Sequence, residues 1–423
     1  MALTPNQDPL MDATTQGAAA AAATDLAPLE PVTNGHVSPS FHPVADAFDR
    51  LVAQGAGGGA LVVRRRGQTV VNLAGGSADP RGTRGWTPDT LAISFSTTKG
   101  VASTVVHRLI DRGLLTPDDR VADHWPAFAA GGKDRVTVRE LLTHRAGLSN
   151  VQSVARRAED LLDHLAMEER LAARTTRAPT ERSAYHAITF GWLVSGLLRQ
   201  ITGRGLRDLV ADEVAAPLGT DGLFLGAPED ARHRVAEPVG SALRQFGAAA
   251  QALAPLRRRR RMRVPPLEAL HVDGFHRLFE GEVPPIWAAE MPAVNGVLSA
   301  DGLARLYGAL AQGGSDGGRT LLSPQAVDQL GRVQLRTADA VLGLPMRWRL
   351  GYHQAFGTGR EAPMAFGHYG YGGSGGWADP ELGLSVGFVT NRIGSLTTPL
   401  GDLTLFRLNR VVRECAARGA TPR

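Results

Sequence analysis

Strand-like segments lie near both ends of this chain, and a long stretch with helical periodicity separates them. Residues 60–65 and 68–73 are rich in valine and leucine and are joined by Arg66-Gly67, which predicts a hairpin. Residues from about 115 to 290 are mainly helical in pattern. Further strand-like segments follow late in the chain, at residues 347–354, 364–368, 374–378 and 384–390. We therefore expect an α/β (α+β) fold in which one sheet is assembled from both chain ends, with helices around it and a mainly helical insertion.

Composition sets the limits of the folded part. Residues 1–38 are rich in alanine, threonine, proline and aspartate, and this predicts a disordered tail. Residues 39–423 show no internal repeat and are expected to form one domain. Helices are expected at residues 44–54, 138–142, 154–170, 189–202, 206–215, 301–312 and 400–417.

A run of arginines dominates the charge of the chain. Arg257–Arg261 and Arg263 supply six positive charges, and without them the formal net charge of +5 would be −1. The run lies within residues 255–265, between prolines, which predicts an exposed loop. Such a loop predicts weak contact with an anionic membrane or an acidic partner. No zinc-finger spacing or aromatic-basic RNA motif accompanies it, so nucleic-acid binding is not expected.

Cysteine usage and hydropathy predict a cytoplasmic protein. Cys415 is the single cysteine, which excludes an internal disulfide and a cysteine-based metal cage. No apolar run reaches the length of a membrane span, and the N-terminus lacks the basic region of a signal peptide. Neither a metal nor an organic cofactor is predicted, and these features leave the oligomeric state undetermined.

Lysine occurs only at Lys99 and Lys133, and Lys99 stands three residues after Ser96. Residues three apart share one face of a helix, so Ser96 Oγ and Lys99 Nζ can meet. Arginine stays protonated in proteins, whereas a buried lysine can lose its proton and act as a base. Apolar residues at helical spacing follow, which places Ser96 at the start of a largely buried helix. The pattern predicts a serine hydrolase of the Ser-x-x-Lys type, with Ser96 as nucleophile.

Tyr185 is a candidate for proton transfer. It is the only tyrosine before Tyr307, and a tyrosine beside a lysine cation ionises more easily. It could then take the proton of the serine and pass it to the leaving group. Alternatively, Tyr185 is a structural residue at the start of a helix.

The glycine-rich residues 366–377 suit a strand whose backbone approaches a ligand closely. A backbone N–H in this segment could form an oxyanion hole with the N–H of Ser96, unless the segment is a flexible loop. Gly372-x-Ser374-x-Gly376 also fits the nucleophile elbow of α/β-hydrolases. That fold needs a histidine after the serine, and none follows His368, so Ser374 is not expected to be a nucleophile.

Three motifs in this order resemble those of the serine β-lactamase and penicillin-binding-protein superfamily. The chain is most similar to the class C β-lactamase-like esterases, also called family VIII carboxylesterases, over about residues 40–415. The resemblance implies a β-lactamase/transpeptidase-like fold with an antiparallel sheet. It also implies roles for residues of the three motifs: Ser96 as nucleophile, Lys99 as its base, and Tyr185 as general base and acid. In the third motif, His368-Tyr369-Gly370, it implies a catalytic His368 and contact of Tyr369 and Gly370 with the substrate. The N–H groups of Ser96 and Tyr371 are the implied oxyanion donors.

Two departures from the usual motifs favour neutral esters over β-lactams. Ala187 stands where an asparagine amide would contact the side chain of a β-lactam, and His368 replaces a lysine that would attract its carboxylate. Histidine is mostly neutral at pH 7 unless its pKa is shifted. We therefore expect a serine esterase that acts on a small-molecule ester through an acyl-enzyme. The alternatives are a β-lactamase or D-Ala carboxypeptidase, an acyltransferase, and a scaffold or binding protein without activity.

Overall fold

The structure of the chain is a computed structural model that describes residues 34–53, 55–260, 262–358, 362–394 and 404–418. The strands are β1 (Asn34–Val37), β2 (Gly58–Arg65), β3 (Gln68–Gly76), β4 (Ala92–Ile93), β5 (Leu223–Leu225), β6 (Val239–Gly240), β7 (Gly296–Leu298), β8 (Ser315–Asp316), β9 (Arg319–Thr320), β10 (His353–Gln354), β11 (Phe366–Tyr369), β12 (Gly375–Asp379), β13 (Leu384–Thr390) and β14 (Arg392–Gly394).

Helices surround these strands, and short 3-10 or π turns join several of them. The helices are α1 (His42–Val52), α2 (Thr98–Asp111), α3 (Val121–His124), α4 (Val138–Leu142), α5 (His164–Ala173), α6 (Thr189–Thr202), α7 (Leu206–Val210), α8 (Ala216–Leu218), α9 (Ala242–Arg260), α10 (Pro265–Leu270), α11 (Pro285–Ala288), α12 (Ala300–Ala311), α13 (Pro324–Gly331) and α14 (Thr404–Arg418). None of the helices in the described ranges is both long enough and apolar enough to cross a membrane.

In the described ranges, seven strands form one antiparallel sheet in the order β1-β3-β2-β13-β12-β11-β10. The N-terminal hairpin β2–β3 and the C-terminal strands meet where β2 pairs with β13, from Gly59 opposite Thr390 to Arg65 opposite Leu384. This confirms the predicted α/β (α+β) fold, with its sheet built from both chain ends. A smaller sheet has the order β4-β7-β5, and its strand β4 leads into the turn that precedes α2.

The sheet is covered on both faces, and successive residues of β2 serve opposite sides. Ala60 and Val62 belong to the core that includes α2 and α12, while Leu61 and Val63 belong to the core that includes α1 and α14. Burial of both faces explains why β2 is apolar at consecutive positions instead of alternating. The first of these cores also contains the inserted helices, and α2 runs through it.

The predicted disordered tail, residues 1–38, includes four residues that form a strand. Residues 34–37 form β1, which pairs with β3 at the edge of the sheet, whereas residues 1–33 lie outside the described residues. The side chains of β1 are mostly exposed, so this segment has no apolar pattern that would reveal a strand.

The prediction of an exposed loop at residues 255–265 is wrong for most of that segment. α9 continues through Pro255 to Arg260, and α10 begins at Pro265. Alanine, leucine and arginine favour helix, and here their combined preference outweighs the one proline. Arg261 lies outside the described residues.

Two other predicted elements differ in the structure. The helix expected at residues 154–170 is a 3-10 turn, Ala158–Leu161, followed by α5, which begins after its N-cap Asp163. The strand expected at residues 347–354 is only β10, because Gly351 has a left-handed φ of 83° that interrupts an extended backbone just before it. The inserted region is mainly helical, as predicted, and also contains the short strands β5 and β6.

Candidate active site

Ser96 lies in a 3-10 turn, Phe95–Thr97, between β4 and α2. Hydrogen bonds fix this turn, since Ser94 N donates to Gly296 O (2.8 Å) and Thr97 N donates to Ser94 O (3.1 Å). Phe95 has a φ of 45°, a conformation that costs free energy for a residue with a side chain. Ser96 therefore precedes α2 instead of lying inside it, next to a strained residue.

Lys99 is fully buried in the first turn of α2, beside Ser96. Its Nζ is 3.0 Å from Ser96 Oγ, 2.7 Å from Ala187 O and 3.1 Å from Ala293 O. Because a carbonyl oxygen can only accept, two N–H groups of the amine donate to these two carbonyls. In the neutral amine, the lone pair then remains for the hydroxyl of Ser96.

Burial also controls the charge of Lys99. Loss of water around the side chain lowers the pKa of Lys99 well below its ordinary value. The neutral amine, which is the form that can accept a proton, is thus favoured. The sequence predicted a lysine that can lose its proton, and the surroundings of Lys99 have the properties that this requires.

Tyr185 lies next to Ser96 and Lys99. Lys99 Nζ is 4.9 Å from the centre of the Tyr185 ring, and the hydroxyl of Tyr185 forms a hydrogen bond with Ser96. The backbone N–H of Tyr185 donates to Asp339 Oδ1 (3.0 Å), which also accepts from two backbone N–H groups of its own loop. Asp339 is buried and fixes the position of Tyr185. Sequence reasoning missed it, because an aspartate in a loop far along the chain carries no motif.

The expectation that a lysine cation makes Tyr185 easier to ionise is wrong. Burial raises the pKa of Tyr185 well above its ordinary value, the hydrogen bond with Ser96 opposes this shift, and the charge of Asp339 adds to it. Burial disfavours the phenolate of Tyr185 for the same reason that it disfavours the ammonium of Lys99. Burial therefore favours the uncharged form of both groups that border the hydroxyl of Ser96, the amine of Lys99 and the phenol of Tyr185.

The glycine-rich segment between β11 and β12 packs on the Ser96 turn. Thr97 Oγ1 donates to Ser374 O (3.0 Å) across this contact. Gly370 lies so close that a Cβ at this position would be 2.1 Å from Ser94 O. Glycine at position 370 is thus required by the approach of one backbone to another, whereas the sequence predicted a close approach to a ligand.

Tyr371 follows Gly370 and reaches the pocket above Ser96. Its ring centroid is 5.7 Å from that of Phe95 in an edge-to-face arrangement, and both rings line the pocket. The backbone around Tyr371 and the backbone of Ser96 therefore border one space. Ser374, in contrast, is buried, and its Oγ accepts a hydrogen bond from Thr390 N (3.1 Å), which suits a structural serine.

His368 and Tyr369 are neighbours in β11 and point to opposite faces of the sheet. The ring centroid of His368 is 6.4 Å from that of Tyr185. The hydroxyl of Tyr369 donates to Phe356 O (3.2 Å) and accepts from Asn409 Nδ2 (3.0 Å) on α14. The expectation that Tyr369 contacts substrate is therefore wrong for its side chain, which belongs to the core behind the sheet.

His368 carries no fixed positive charge. Burial lowers the pKa of His368 well below its ordinary value, and the nearby His353 and Lys99 add to this. His368 Nδ1 is 3.1 Å from Tyr369 O, so in the neutral ring Nδ1–H donates and Nε2 is left as an acceptor. Nε2 has no hydrogen-bond partner among the described residues.

An apolar pocket of about 200 Å³ opens from Ser96. Much of its wall comes from α9, α10 and the 3-10 turn Phe275–Phe279, which sequence reasoning did not connect with the site because their apolar residues form no motif. Within the described ranges, no three side chains of histidine, cysteine, aspartate or glutamate converge as metal ligands would. The pocket is lined by Phe95, Ser96, Ala187, Ile188, Leu243, Phe246, Gly247, Leu270, His271, Val272, Phe275, His276, Ala293, Val294 and Tyr371.

Known proteins are similar to this chain over most of its length, not only in its motifs. A sequence model of the β-lactamase family matches residues 44–405. A Mycobacterium tuberculosis protein described as esterase/beta-lactamase LipL is 42% identical over 390 residues, which are 91% of this chain and 89% of that protein. The crystal structure of a penicillin-binding-protein homologue from Caulobacter crescentus has a TM-score of 0.78 at 34% identity and covers 90% of this chain and 99% of its own. A crystal structure of a family VIII carboxylesterase has a TM-score of 0.77 at 36% identity, with the same coverage of 90% and 99%.

Proposed function

We propose that this chain, which belongs to the β-lactamase family and is a serine hydrolase, cleaves neutral carboxylic esters through an acyl-enzyme on Ser96. One observation carries the proposal. The amine of Lys99 is buried, is held by two backbone carbonyls and lies 3.0 Å from Ser96 Oγ at the bottom of an apolar pocket. A hydroxyl next to a neutral amine is the arrangement that nucleophilic catalysis by serine needs.

In the first half of the reaction, the lone pair of Lys99 accepts the proton of Ser96 as Ser96 Oγ attacks the ester carbonyl. The backbone N–H groups of Ser96 and Tyr371 donate to the oxyanion that develops. The C–O bond to the alcohol then breaks, and the leaving oxygen takes a proton from the hydroxyl of Tyr185. The ammonium of Lys99 restores that proton to Tyr185, so the pair ends with its original protonation.

In the second half, water replaces the alcohol. Tyr185 and Lys99 again act together to remove a proton from the water, whose oxygen attacks the acyl carbonyl. The bond between the acyl carbon and Ser96 Oγ breaks, and the proton returns to Ser96. The products are a carboxylic acid and an alcohol, and no metal or organic cofactor enters the scheme.

The surroundings of the pocket support neutral esters as substrates. The third-motif residue His368 is buried, and its lowered pKa keeps it neutral. Ala187 lines the pocket and has no amide side chain, and the described residues that line the pocket include no lysine or arginine. An anionic β-lactam would therefore bring a carboxylate to a site without a cationic partner, and each such missing contact costs about 1–3 kcal/mol.

The test is a comparison of Ser96→Ala and Ser374→Ala, assayed with a soluble short-chain aryl ester and with a fluorophosphonate label. Ser96→Ala should lose both ester hydrolysis and labelling. Ser374→Ala should keep much of both, because Ser374 Oγ is bonded to the backbone of Thr390. Hydrolysis by a folded Ser96→Ala variant would contradict the proposal.

β-Lactam hydrolysis is the second candidate, because the relative from Mycobacterium tuberculosis is described as both esterase and β-lactamase. The wild-type enzyme should be assayed with a cephalosporin beside the aryl ester. We expect kcat/KM for the ester to be at least about 10²-fold higher, corresponding to the loss of two polar contacts. Comparable values for the two substrates would favour the β-lactamase.

A further inference from the structure

α9 connects the active-site pocket with the arginine run. Leu243, Phe246 and Gly247 in its first half line the pocket next to Ser96. Its second half ends at Arg260, within the arginine run. Because one continuous helix joins the two regions, a partner that binds the second half of α9 lies at a fixed distance from the opening of the pocket.

The end of α9 exposes apolar and basic side chains together. Leu253, Leu256 and Met262 are each 42% exposed, among the most exposed large apolar residues of the described chain. Arg259 and Arg260 are exposed among them, and neither has an ion-pair partner within the described ranges. These five residues are called the α9 surface below.

Two other arginines near the α9 surface, Arg257 and Arg263, are partly neutralised. Arg257 and Arg263 both approach Glu268 of α10, at 3.8 and 3.0 Å. This places one carboxylate between two guanidinium groups and leaves the region with an excess of positive charge. Arg259 and Arg260, which are exposed, can therefore attract an external anion.

A cavity of about 630 Å³ lies between the α9 surface and the active-site pocket. Met262 and Arg257 line it on one side. His271 and Val272 line both this cavity and the pocket that holds Ser96. The cavity and the active-site pocket therefore adjoin each other and share part of one wall.

We propose that the α9 surface binds the surface of an anionic lipid membrane and holds the opening of the pocket at the lipid, so that esters dissolved in the membrane are substrates. Exposed leucines between arginines suit this partner, because apolar side chains enter the acyl boundary while arginines reach the lipid phosphates. A nucleic acid would use the arginines but not the leucines. The membrane contact stands on the α9 surface alone, whereas the choice of substrate also rests on the proposed esterase activity.

The first experiment measures sedimentation of the full chain with vesicles. Vesicles of phosphatidylcholine alone are compared with vesicles of equal parts phosphatidylcholine and phosphatidylglycerol. We expect binding to the anionic vesicles only, and weaker binding as salt is added. The double variant Arg259→Gln/Arg260→Gln should bind about 25-fold more weakly, at about fivefold for each arginine. Its matched control is Arg81→Gln/Arg135→Gln, which removes two exposed arginines elsewhere and should bind as wild type does.

The leucines separate a membrane from other anionic partners. Leu253→Ser/Leu256→Ser should weaken vesicle binding by about tenfold, since two partly inserted side chains are lost. Leu114→Ser/Leu344→Ser removes leucines elsewhere that are at least as exposed, at 49% and 54%, and should not weaken vesicle binding. Equal binding to both kinds of vesicle would overturn the proposal. Full vesicle binding by Leu253→Ser/Leu256→Ser would also overturn it and would point to an acidic protein or nucleic acid instead.

Activity distinguishes this proposal from the esterase proposal. Both α9 variants should hydrolyse a soluble aryl ester with unchanged kcat/KM, because their substituted residues do not line the pocket. With an ester dissolved in the anionic vesicles, their rates should fall in proportion to their binding. An inactive wild type that still binds anionic vesicles would contradict the esterase and leave the membrane contact supported. A wild-type dimer that disappears in Leu253→Ser/Leu256→Ser, as measured by sedimentation velocity, would overturn the membrane contact.

Discussion

The contact between Gly370 and the Ser96 turn can be tested by adding one methyl group. In Gly370→Ala, the new Cβ would lie 2.1 Å from Ser94 O and 2.9 Å from Thr97 Oγ1. Ser94 O already accepts the hydrogen bond from Thr97 N that forms the Ser96 turn. The clash can be relieved only if the Ser96 turn or the segment with Gly370 and Tyr371 moves, and both carry residues of the site.

The size of the required movement follows from the same distances. Ordinary contacts of a Cβ begin at 3.4 Å, so the segment that carries Tyr371 must move away from Ser94 by 3.4 − 2.1 = 1.3 Å. This separates the N–H of Tyr371 from the N–H of Ser96, the two proposed oxyanion donors. Misplacement by about 1 Å costs about 10²-fold in rate. Because these donors act on the transition state, kcat should fall more than KM rises.

The assay is steady-state hydrolysis of a soluble aryl ester by Gly370→Ala, with circular dichroism and thermal unfolding to verify the fold. Gly331→Ala is the matched control, since its Cβ would meet only Phe366 at an ordinary distance of 3.8 Å. Gly331→Ala should keep kcat close to that of wild type. A folded Gly370→Ala with kcat within about threefold of wild type would refute the reasoning, given the expected loss.

The Ser96–Lys99 pair could be predicted from sequence because its geometry is local. Residues three apart in a helical turn are neighbours whatever the rest of the chain does. α6 was predicted with its observed bounds, Thr189–Thr202, for a similar reason. Its apolar periodicity is strong, and Gly203 supplies the left-handed residue that ends it.

The charge state of the site could not be predicted in this way. Lys99 is held by carbonyls of Ala187 and Ala293, which are 88 and 194 residues away in the chain. Its pKa depends on how completely these distant segments exclude water. The same exclusion keeps Tyr185 protonated, so a rule based on neighbouring charges gave the wrong direction for its pKa.

The placement of Tyr369 was predictable, and the motif obscured it. His368 and Tyr369 lie next to each other in a strand, so their side chains must point to opposite faces of the sheet. If His368 faces Tyr185, then Tyr369 must face α14, where it meets Asn409. The wall of the pocket is a different case, because nothing local marks α9 as an element that packs over Ser96.

Two predictions follow from buried ionisable groups. Since protonation of Lys99 removes the base, kcat/KM for the aryl ester should rise with pH as the ammonium loses its proton. The variant Lys99→Met should lose at least about 10²-fold in kcat. The control variant Lys133→Met should keep the pH profile of the wild type. Burial lowers the pKa of His107 from 6.5 to about 4. Over this pH range, His107 therefore binds a proton in the unfolded chain but not in the folded chain. This difference lowers the free energy of unfolding by up to about 3 kcal/mol as pH falls from about 6.5 to 4. His107→Gln keeps a donor for Leu350 O but takes up no proton, so urea unfolding at several pH values should show a shallower loss of stability than in wild type. Equal slopes for the two proteins would mean that His107 titrates alike in the folded and unfolded chains.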